Sequence, residues 1–199
     1  YFMKKESNSN DSSISLWLKK NFNTRTISFN AIIAALYAVV TIICGPLSYE
    51  FAQFRISEIL NLMVFFNPTY TLGLTLGCLI ANLASTVGLY DIIFGTLATL
   101  VSCLLIVIFS RFIKSLFLAG LIPSIINAII VPFIIYISSM NTADAFSLKN
   151  MYWIMFGWVF LGEFTCIICI GYPLFYFLIK KVKKVPQILC FYKNLDFKW

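Results

Sequence analysis

The chain contains no histidine, and only 12% of its 199 residues are charged. Without histidine, the acid–base pairs of most hydrolases and the Cys/His zinc sites lack a component. No Gly-x-x-x-x-Gly-Lys-Ser/Thr phosphate loop is present either. These absences argue against an enzyme, against a metal site and against ATP hydrolysis by this chain itself. We therefore expect no cofactor in it.

The cysteines do not indicate a disulfide framework. All six lie inside or beside apolar runs, at Cys44, Cys78, Cys103, Cys166, Cys169 and Cys190. Buried free cysteines behave as small hydrophobic side chains. Packing is therefore their expected role.

Long hydrophobic runs are what the sequence has in abundance. Hydrophobic residues make up 60% of the chain, and a spanning helix needs about 20 mostly apolar residues. Six apolar segments are separated by polar, proline or glycine residues: Ser28 to Cys44, Phe51 to Phe66, Tyr70 to Ser85, Asp91 to Ser110, Leu116 to Ser139 and Asn150 to Ile179. The sequence predicts an all-α integral membrane protein, a compact bundle of six transmembrane helices.

Proline dipeptides and polar ends set the boundaries. Gly45-Pro46 and Asn67-Pro68 are predicted to end helices, because proline lacks the amide donor and moves its predecessor out of helical geometry. Residues 1–26 are interpreted as a tag remnant and a polar, amphipathic amino-terminal segment. Residues 27–180 form the predicted membrane domain, and residues 181–199 a basic tail.

The distribution of basic residues predicts the orientation. All but two of the 15 lysines and arginines lie in the amino-terminal segment, in the loop between the fourth and fifth segments, or in the tail; the exceptions are Arg55 and Lys149. Short loops rich in these residues stay in the cytoplasm. Both termini are therefore predicted to be cytoplasmic, in the cell membrane. The net charge of +7 needs no nucleic acid to explain it.

Two rows of small residues follow helical spacing. Gly73, Gly77 and Ala81 form one row, which is expected to pack within the bundle because small residues let helices approach closely in lipid. The other row is in the first segment, at Ala31, Ala34, Ala35 and Ala38. It fits internal packing or a surface on which a partner protein docks.

Four ionisable residues lie in the apolar segments: Arg55, Glu58, Asp91 and Glu163. Each costs from about 2.5 to more than 10 kcal/mol in hydrocarbon, which makes it a functional candidate. Arg55 and Glu58 are three residues apart, with Asn61 one turn further, so an internal ion pair is an alternative. Asp91 also fits a helix N-cap.

Glu163 has no basic residue within a turn of it in the sequence. It therefore needs a partner from another helix. Asn127, midway along the fifth segment, suits the same cavity or a bond to a neighbouring helix. With cytoplasmic termini, Glu163 falls nearer the centre of the membrane, and the outer half contains Arg55, Glu58, Asn82, Asp91, Tyr152, Trp153 and Trp158. This distribution predicts a cavity open to the outside. The candidate substrate-binding residues are Arg55, Glu58, Asn61, Asn82, Asp91, Asn127, Tyr152, Trp153, Trp158 and Glu163. Carboxylates, amides and aromatic rings together suit a flat heterocycle with N–H donors.

Several runs resemble one family. They are AIIAALYA from Ala31, QFRISE from Gln53, FFNP from Phe65, GLTLGCLIAN from Gly73 and FGTLAT from Phe94. Together they resemble the QueT family, the substrate-binding (S) components of energy-coupling factor importers associated with queuosine precursors. The resemblance covers about residues 27–177, and the part from Gln53 to Thr99 is the most specific.

The resemblance implies partners and a ligand. The implied partners are a transmembrane coupling subunit, docked on the alanine face of the first helix, and two ATPase subunits. The implied ligand is a 7-deazaguanine base: the cyano or aminomethyl precursor of queuosine, or queuine. An S component for thiamine or riboflavin, or a membrane scaffold without transport function, are the alternatives that the residues leave open.

Overall fold

The computed structural model describes residues 24–45, 54–85, 88–139, 145–182 and 184–191, and every regular element in these ranges is a helix. The helices are α1 (Thr24–Ile43), α2 (Ile56–Phe66), α3 (Tyr70–Asn82), α4 (Asp91–Phe109), α5 (Leu116–Ser139), α6 (residues 145–181) and the short α7 (Val185–Ile188). The all-α prediction is confirmed.

Four helices are long and apolar enough to cross a membrane: α1, α4, α5 and α6. Helices α2 and α3 are apolar but shorter, as their segments in the sequence predicted. Six crossings and cytoplasmic termini therefore stay predictions. Arg25, at the start of α1, contacts Gln187 and Ile188 just after α6, so the chain enters and leaves the described bundle at the same end. We call this the tail end.

Helices α1 and α3 pack through glycine. A Cβ at Gly77 would lie 2.7 Å from the Ala34 carbonyl oxygen, so only glycine permits this approach. Near the start of α3, the Gly73 N–H donates to Asn30 Oδ1 at 2.8 Å. The predicted role of the glycine row in packing is confirmed.

The same contact divides the alanine row of α1. Ala34 and Ala38 are buried and pack inside the bundle, whereas Ala31 and Ala35 are exposed and point outward. Docking of a partner protein on this row stays a prediction.

Helix α2 is short, and its carboxyl end is fixed by local geometry. It starts as a 3₁₀-helix, Ile56–Asn61, and continues as α-helix to Phe66. Asn67 then turns to extended geometry (φ −146°, ψ 102°) before Pro68. Its side-chain oxygen accepts from the Thr69 N–H at 3.0 Å and starts the turn into α3. The predicted break at Asn67-Pro68 is confirmed.

Turns of π-helix interrupt α4 and α6. They span Asp91–Gly95 in α4 and Thr165–Gly171 in α6. Such turns re-aim side chains and are frequent at functional sites. One contains Asp91 and the other begins two residues after Glu163, beside two of the candidate acids.

The beginning of the predicted tail folds onto the bundle. Phe191 is buried, with its ring 5.1 Å from that of Phe66. Asn67 Nδ2 donates to the Cys190 carbonyl at 3.0 Å, and the Tyr70 hydroxyl donates to the Leu189 carbonyl. Residues 184–191 thus belong to the folded unit, because the Phe191 side chain and four backbone carbonyls, those of Gln187, Ile188, Leu189 and Cys190, find partners there. Residues 1–23, which contain most of the predicted amino-terminal segment, and residues 192–199 of the predicted tail lie outside the described residues.

Candidate functional site

The candidate residues gather in the half of the bundle opposite the tail end, in two adjoining groups. The carboxylate cluster comprises Glu58, Asn61, Asn127 and Glu163, contributed by α2, α5 and α6. The Arg55 group comprises Arg55, Asp91 and Asn82, at the start of α2, the start of α4 and the end of α3. All seven side chains were predicted from the sequence, and all seven are buried.

Glu58 is held on both oxygens. The Tyr37 hydroxyl of α1 donates to Oε1 at 2.5 Å, and Asn61 Nδ2 donates to Oε2. The Asn127 amide also interacts with this carboxyl. One residue earlier, Ser57 shares a 2.6 Å hydrogen bond with Thr41, so α1 is joined to α2 at two successive positions. Glu58 is fully enclosed, at 0% exposed.

Glu163 is held on one oxygen only. Asn127 Nδ2 donates to Oε1 at 3.0 Å. The other oxygen, Oε2, is buried and has no hydrogen-bond partner among the described residues. Glu163 is 1% exposed and close enough to Glu58 for their charges to interact.

The Arg55 group contains the site's ion pair. Arg55 Nη2 lies 3.4 Å from Asp91 Oδ2 and 3.5 Å from Oδ1. Asn82 Nδ2 donates to the Asp91 carbonyl at 3.1 Å. Gly95 leaves room for this arrangement, since a Cβ there would lie 2.7 Å from Asp91 Oδ1. Arg55 Nε and Asn82 Oδ1 are buried without a partner within the described ranges.

The ion pair corrects two local interpretations of the sequence. Arg55 pairs with Asp91 rather than with Glu58, because Arg55 is the non-helical residue before α2 (φ −82°, ψ 87°) and is not on its face. Asp91 does not act as an N-cap, since Tyr90 before it is already helical.

Thiol and hydroxyl groups line the space between the two groups. Thr99 Oγ1 donates to Cys78 Sγ at 3.1 Å, and Asn82 Nδ2 lies 3.4 Å from the same sulfur. Cys103 Sγ approaches Asn61 Oδ1 at 3.8 Å. No group of three or more metal-binding side chains occurs in the part of the chain that the structure describes.

The three predicted aromatic residues lie elsewhere. Trp153 is 63% exposed and Trp158 is 54% exposed, so both rings face outward from α6. The Tyr152 hydroxyl donates to the Ile129 carbonyl of α5 at 3.3 Å. The structure therefore does not bring these rings to the carboxylate cluster. Outward-facing tryptophan suits a membrane interface, where an indole is apolar on one side and wet on the other.

Tyr37 is the site residue that the sequence prediction missed. It lies on a polar stripe of α1 formed by Thr26, Asn30, Tyr37 and Thr41, all of them buried. Their spacing of four, seven and four residues places them on one helix face. A polar stripe in a membrane helix points to the protein interior, and this pattern was the signal available in the sequence.

The geometry also differs from the predicted open cavity. The carboxylates are enclosed because the amides of Asn61 and Asn127 and the Tyr37 hydroxyl fold against them, which offsets part of the cost of removing charge from water. The resulting site offers acceptors on Glu58 and Glu163, and donors on two amides and one guanidinium. Such a set recognises a polar ring with both N–H and C=O groups.

Comparison with known proteins identifies the family. The family model described as the QueT transporter matches residues 27–180. The chain belongs to the QueT transporter family. A relative from Lactococcus lactis subsp. cremoris (strain MG1363), named "Queuosine precursor transporter QueT", is 34% identical over 151 residues, which cover 74% of this chain and 89% of the relative. No solved structure matches the chain.

The match covers the whole site. Every residue of the carboxylate cluster and of the Arg55 group lies inside the region matched by the QueT model. QueT is a transporter family rather than an enzyme family, which agrees coarsely with the prediction from the missing catalytic set. Together with its apolar helices, membership makes this chain a multi-pass membrane protein.

Proposed function

We propose that this chain is the substrate-binding component of an energy-coupling factor importer and that it captures a queuosine precursor, a 7-deazaguanine base, from outside the cell. Two observations support the substrate class: the printed name of the Lactococcus relative and the buried pair of acids with flanking amides. The single structural observation that carries the proposal is the Glu163–Asn127 pair, 3.0 Å apart in the core of an apolar bundle.

The hydrogen-bonding pattern of a deazaguanine fits this pair. Its guanine-like edge presents two adjacent N–H donors, which one carboxylate accepts in bidentate fashion, and a carbonyl that an amide or a guanidinium satisfies. The cyano precursor, the aminomethyl precursor and queuine all share this edge. The aminomethyl group is cationic, so a nearby second carboxylate favours it over the neutral cyano group.

Energy for uptake comes from partner subunits in this proposal. The chain has no phosphate-binding loop of its own, so ATP is hydrolysed by two ATPase subunits that act through a transmembrane coupling subunit. The exposed pair Ala31 and Ala35 on α1 supplies a smooth surface for that subunit, since small residues let helices approach closely in lipid.

Calorimetry with a panel of ligands tests the substrate class. The detergent-purified protein is titrated with the aminomethyl and cyano deazaguanines, queuine, guanine, thiamine and riboflavin. We expect heat of binding with at least one deazaguanine and none with the two vitamins. Binding of thiamine or riboflavin alone would contradict the substrate class, and a folded protein that binds none of the panel would favour the scaffold alternative.

A further inference from the structure

The two buried glutamates differ in how their oxygens are used. Glu58 accepts from Tyr37 on Oε1 and from Asn61 on Oε2. Glu163 accepts from Asn127 on Oε1, while its Oε2 is buried with no partner among the described residues. Both side chains are almost completely enclosed, so the difference lies between two equally buried carboxylates.

The contacts of Glu58 join neighbouring helices. Tyr37 of α1 and Asn61 of its own helix donate to it, and the Asn127 amide of α5 also interacts with it. The adjacent Thr41–Ser57 bond joins α1 to α2. A carboxylate with a donor on each oxygen is fixed in orientation. A ligand N–H that turned to Glu58 would have to displace or share the Tyr37 or the Asn61 donor, which reduces the gain from binding.

The contacts of Glu163 describe an acceptor. One oxygen is anchored by Asn127, which fixes the plane of the carboxylate. The other costs free energy as long as no donor reaches it, because buried charged atoms without hydrogen bonds are expensive. A ligand N–H that meets Oε2 removes this cost and displaces no protein donor.

From this difference we infer that the two acids have separate tasks: Glu163 receives the N–H edge of the ligand, whereas Glu58, held by Tyr37 and Asn61, is a positioning residue that ties α1 to the site. This inference rests on the proposed function for the ligand. It also assigns to Tyr37 the role of holding the Glu58 carboxylate in place. In this assignment the exocyclic amine of the deazaguanine donates a hydrogen bond to Glu163.

Discrimination between two ligands tests the assignment. The probes are 7-deazaguanine and 7-deazahypoxanthine, which lacks the exocyclic amine, and the readout is the ratio of their Kd values for the full chain in detergent. For the unaltered protein we expect a ratio of about 10 to 100, the range for a hydrogen bond to a charged group. In Glu163→Gln the ratio is expected to fall close to one, with deazaguanine binding weakened by a similar factor.

Glu58→Gln is the matched control. If Glu58 only positions α1, its substitution lowers the affinity for both probes by a similar factor, so the ratio of their Kd values stays as in the unaltered protein. Tyr37→Phe is expected to behave in the same way. A variant that merely loses structure would bind both probes more weakly. Misfolding therefore does not by itself lower the ratio of the two Kd values in one variant and leave it unchanged in the other. If Glu163→Gln fails to fold, the ratios of Glu58→Gln and Tyr37→Phe decide the question.

The outcomes distinguish failure of the division of tasks from failure of the proposed function. A collapse of the ratio in Glu58→Gln, or an unchanged ratio in Glu163→Gln, overturns the division of tasks while the proposed function stands. If the unaltered protein binds neither these two probes nor the other deazaguanines, the proposed function fails and this inference fails with it.

Discussion

The ion pair between Arg55 and Asp91 joins α2 to α4 at residues that are both buried. Two charges taken out of water offset each other's cost only while both are present. The pair is also loosely made, since its shortest distance is 3.4 Å and Arg55 Nε has no partner within the described ranges. Its main contribution is therefore to neutralise charge rather than to add stability.

Neutralising one partner is expected to be more harmful than neutralising both. Asp91→Asn leaves the Arg55 cation buried without a counter-charge, which should destabilise the protein by about 3–5 kcal/mol. The double variant Arg55→Gln/Asp91→Asn should recover much of that loss. Thermal unfolding in detergent of both single variants and the double variant checks this, and additive losses would show that the two residues do not interact.

Which residues matter in the site could largely be predicted from the sequence, whereas their pairing could not. Charges are so rare in apolar segments that Arg55, Glu58, Asp91 and Glu163 stand out without a structure. The partner of Arg55 depends on where the start of α4, 36 residues away, lies relative to α2. Tyr37 escaped notice because a tyrosine in a membrane helix is unremarkable until the stripe of polar residues around it is recognised.

At the scale of elements, α1 is the helix on which packing and site depend together. One face lies against α3 through Gly73 and Gly77, and the same face carries Tyr37 toward Glu58. A shift of α1 away from α3 would therefore move the hydroxyl that holds the carboxylate. The opposite face, with Ala31 and Ala35, is exposed, and in the proposed function it meets the coupling subunit.

Gly77→Ala tests this dependence. The added Cβ would lie 2.7 Å from the Ala34 carbonyl oxygen and 2.8 Å from Tyr37 Cβ, so backbone has to move. Overpacking of this kind costs about 1–3 kcal/mol, and we expect a lower midpoint of thermal unfolding together with weaker ligand binding. Gly157→Ala is the matched control, because a Cβ at Gly157 meets nothing within 4 Å. Equal effects of the two changes would contradict the packing argument.

Helix boundaries were predictable where local chemistry sets them. The end of α2 at Asn67-Pro68 and the start of α5 at Leu116 agree with the segments marked in the sequence. The π-helical turns in α4 and α6 were not predictable, because nothing in the runs DIIFG or TCIICIG distinguishes a wide turn from an ordinary one. The turn in α4 contains Asp91, whereas the turn in α6 packs against Ile59 and Leu62 of α2 through Gly171.

At the scale of the whole molecule, one end is closed by the chain itself. Arg25 binds two carbonyls after α6, and Phe191 fills the space beside Phe66. The polar groups occupy the opposite half, so the closed tail end and the candidate site lie at opposite ends of the described bundle. The concentration of lysines in the sequence near the tail end agrees with the predicted cytoplasmic location of that end. The cytoplasmic location remains a prediction.

Uptake of a labelled precursor tests the central claim, that this chain captures a deazaguanine for import by an ATP-driven partner complex. Cells that neither make nor import the aminomethyl deazaguanine would express the chain alone, the coupling and ATPase subunits alone, or all of them, with Glu163→Gln as the binding-deficient control. We predict accumulation only when all subunits are present, and its loss in Glu163→Gln. Equal accumulation with the chain alone, or none with the complete set although the protein is in the membrane and binds the ligand, would contradict the account.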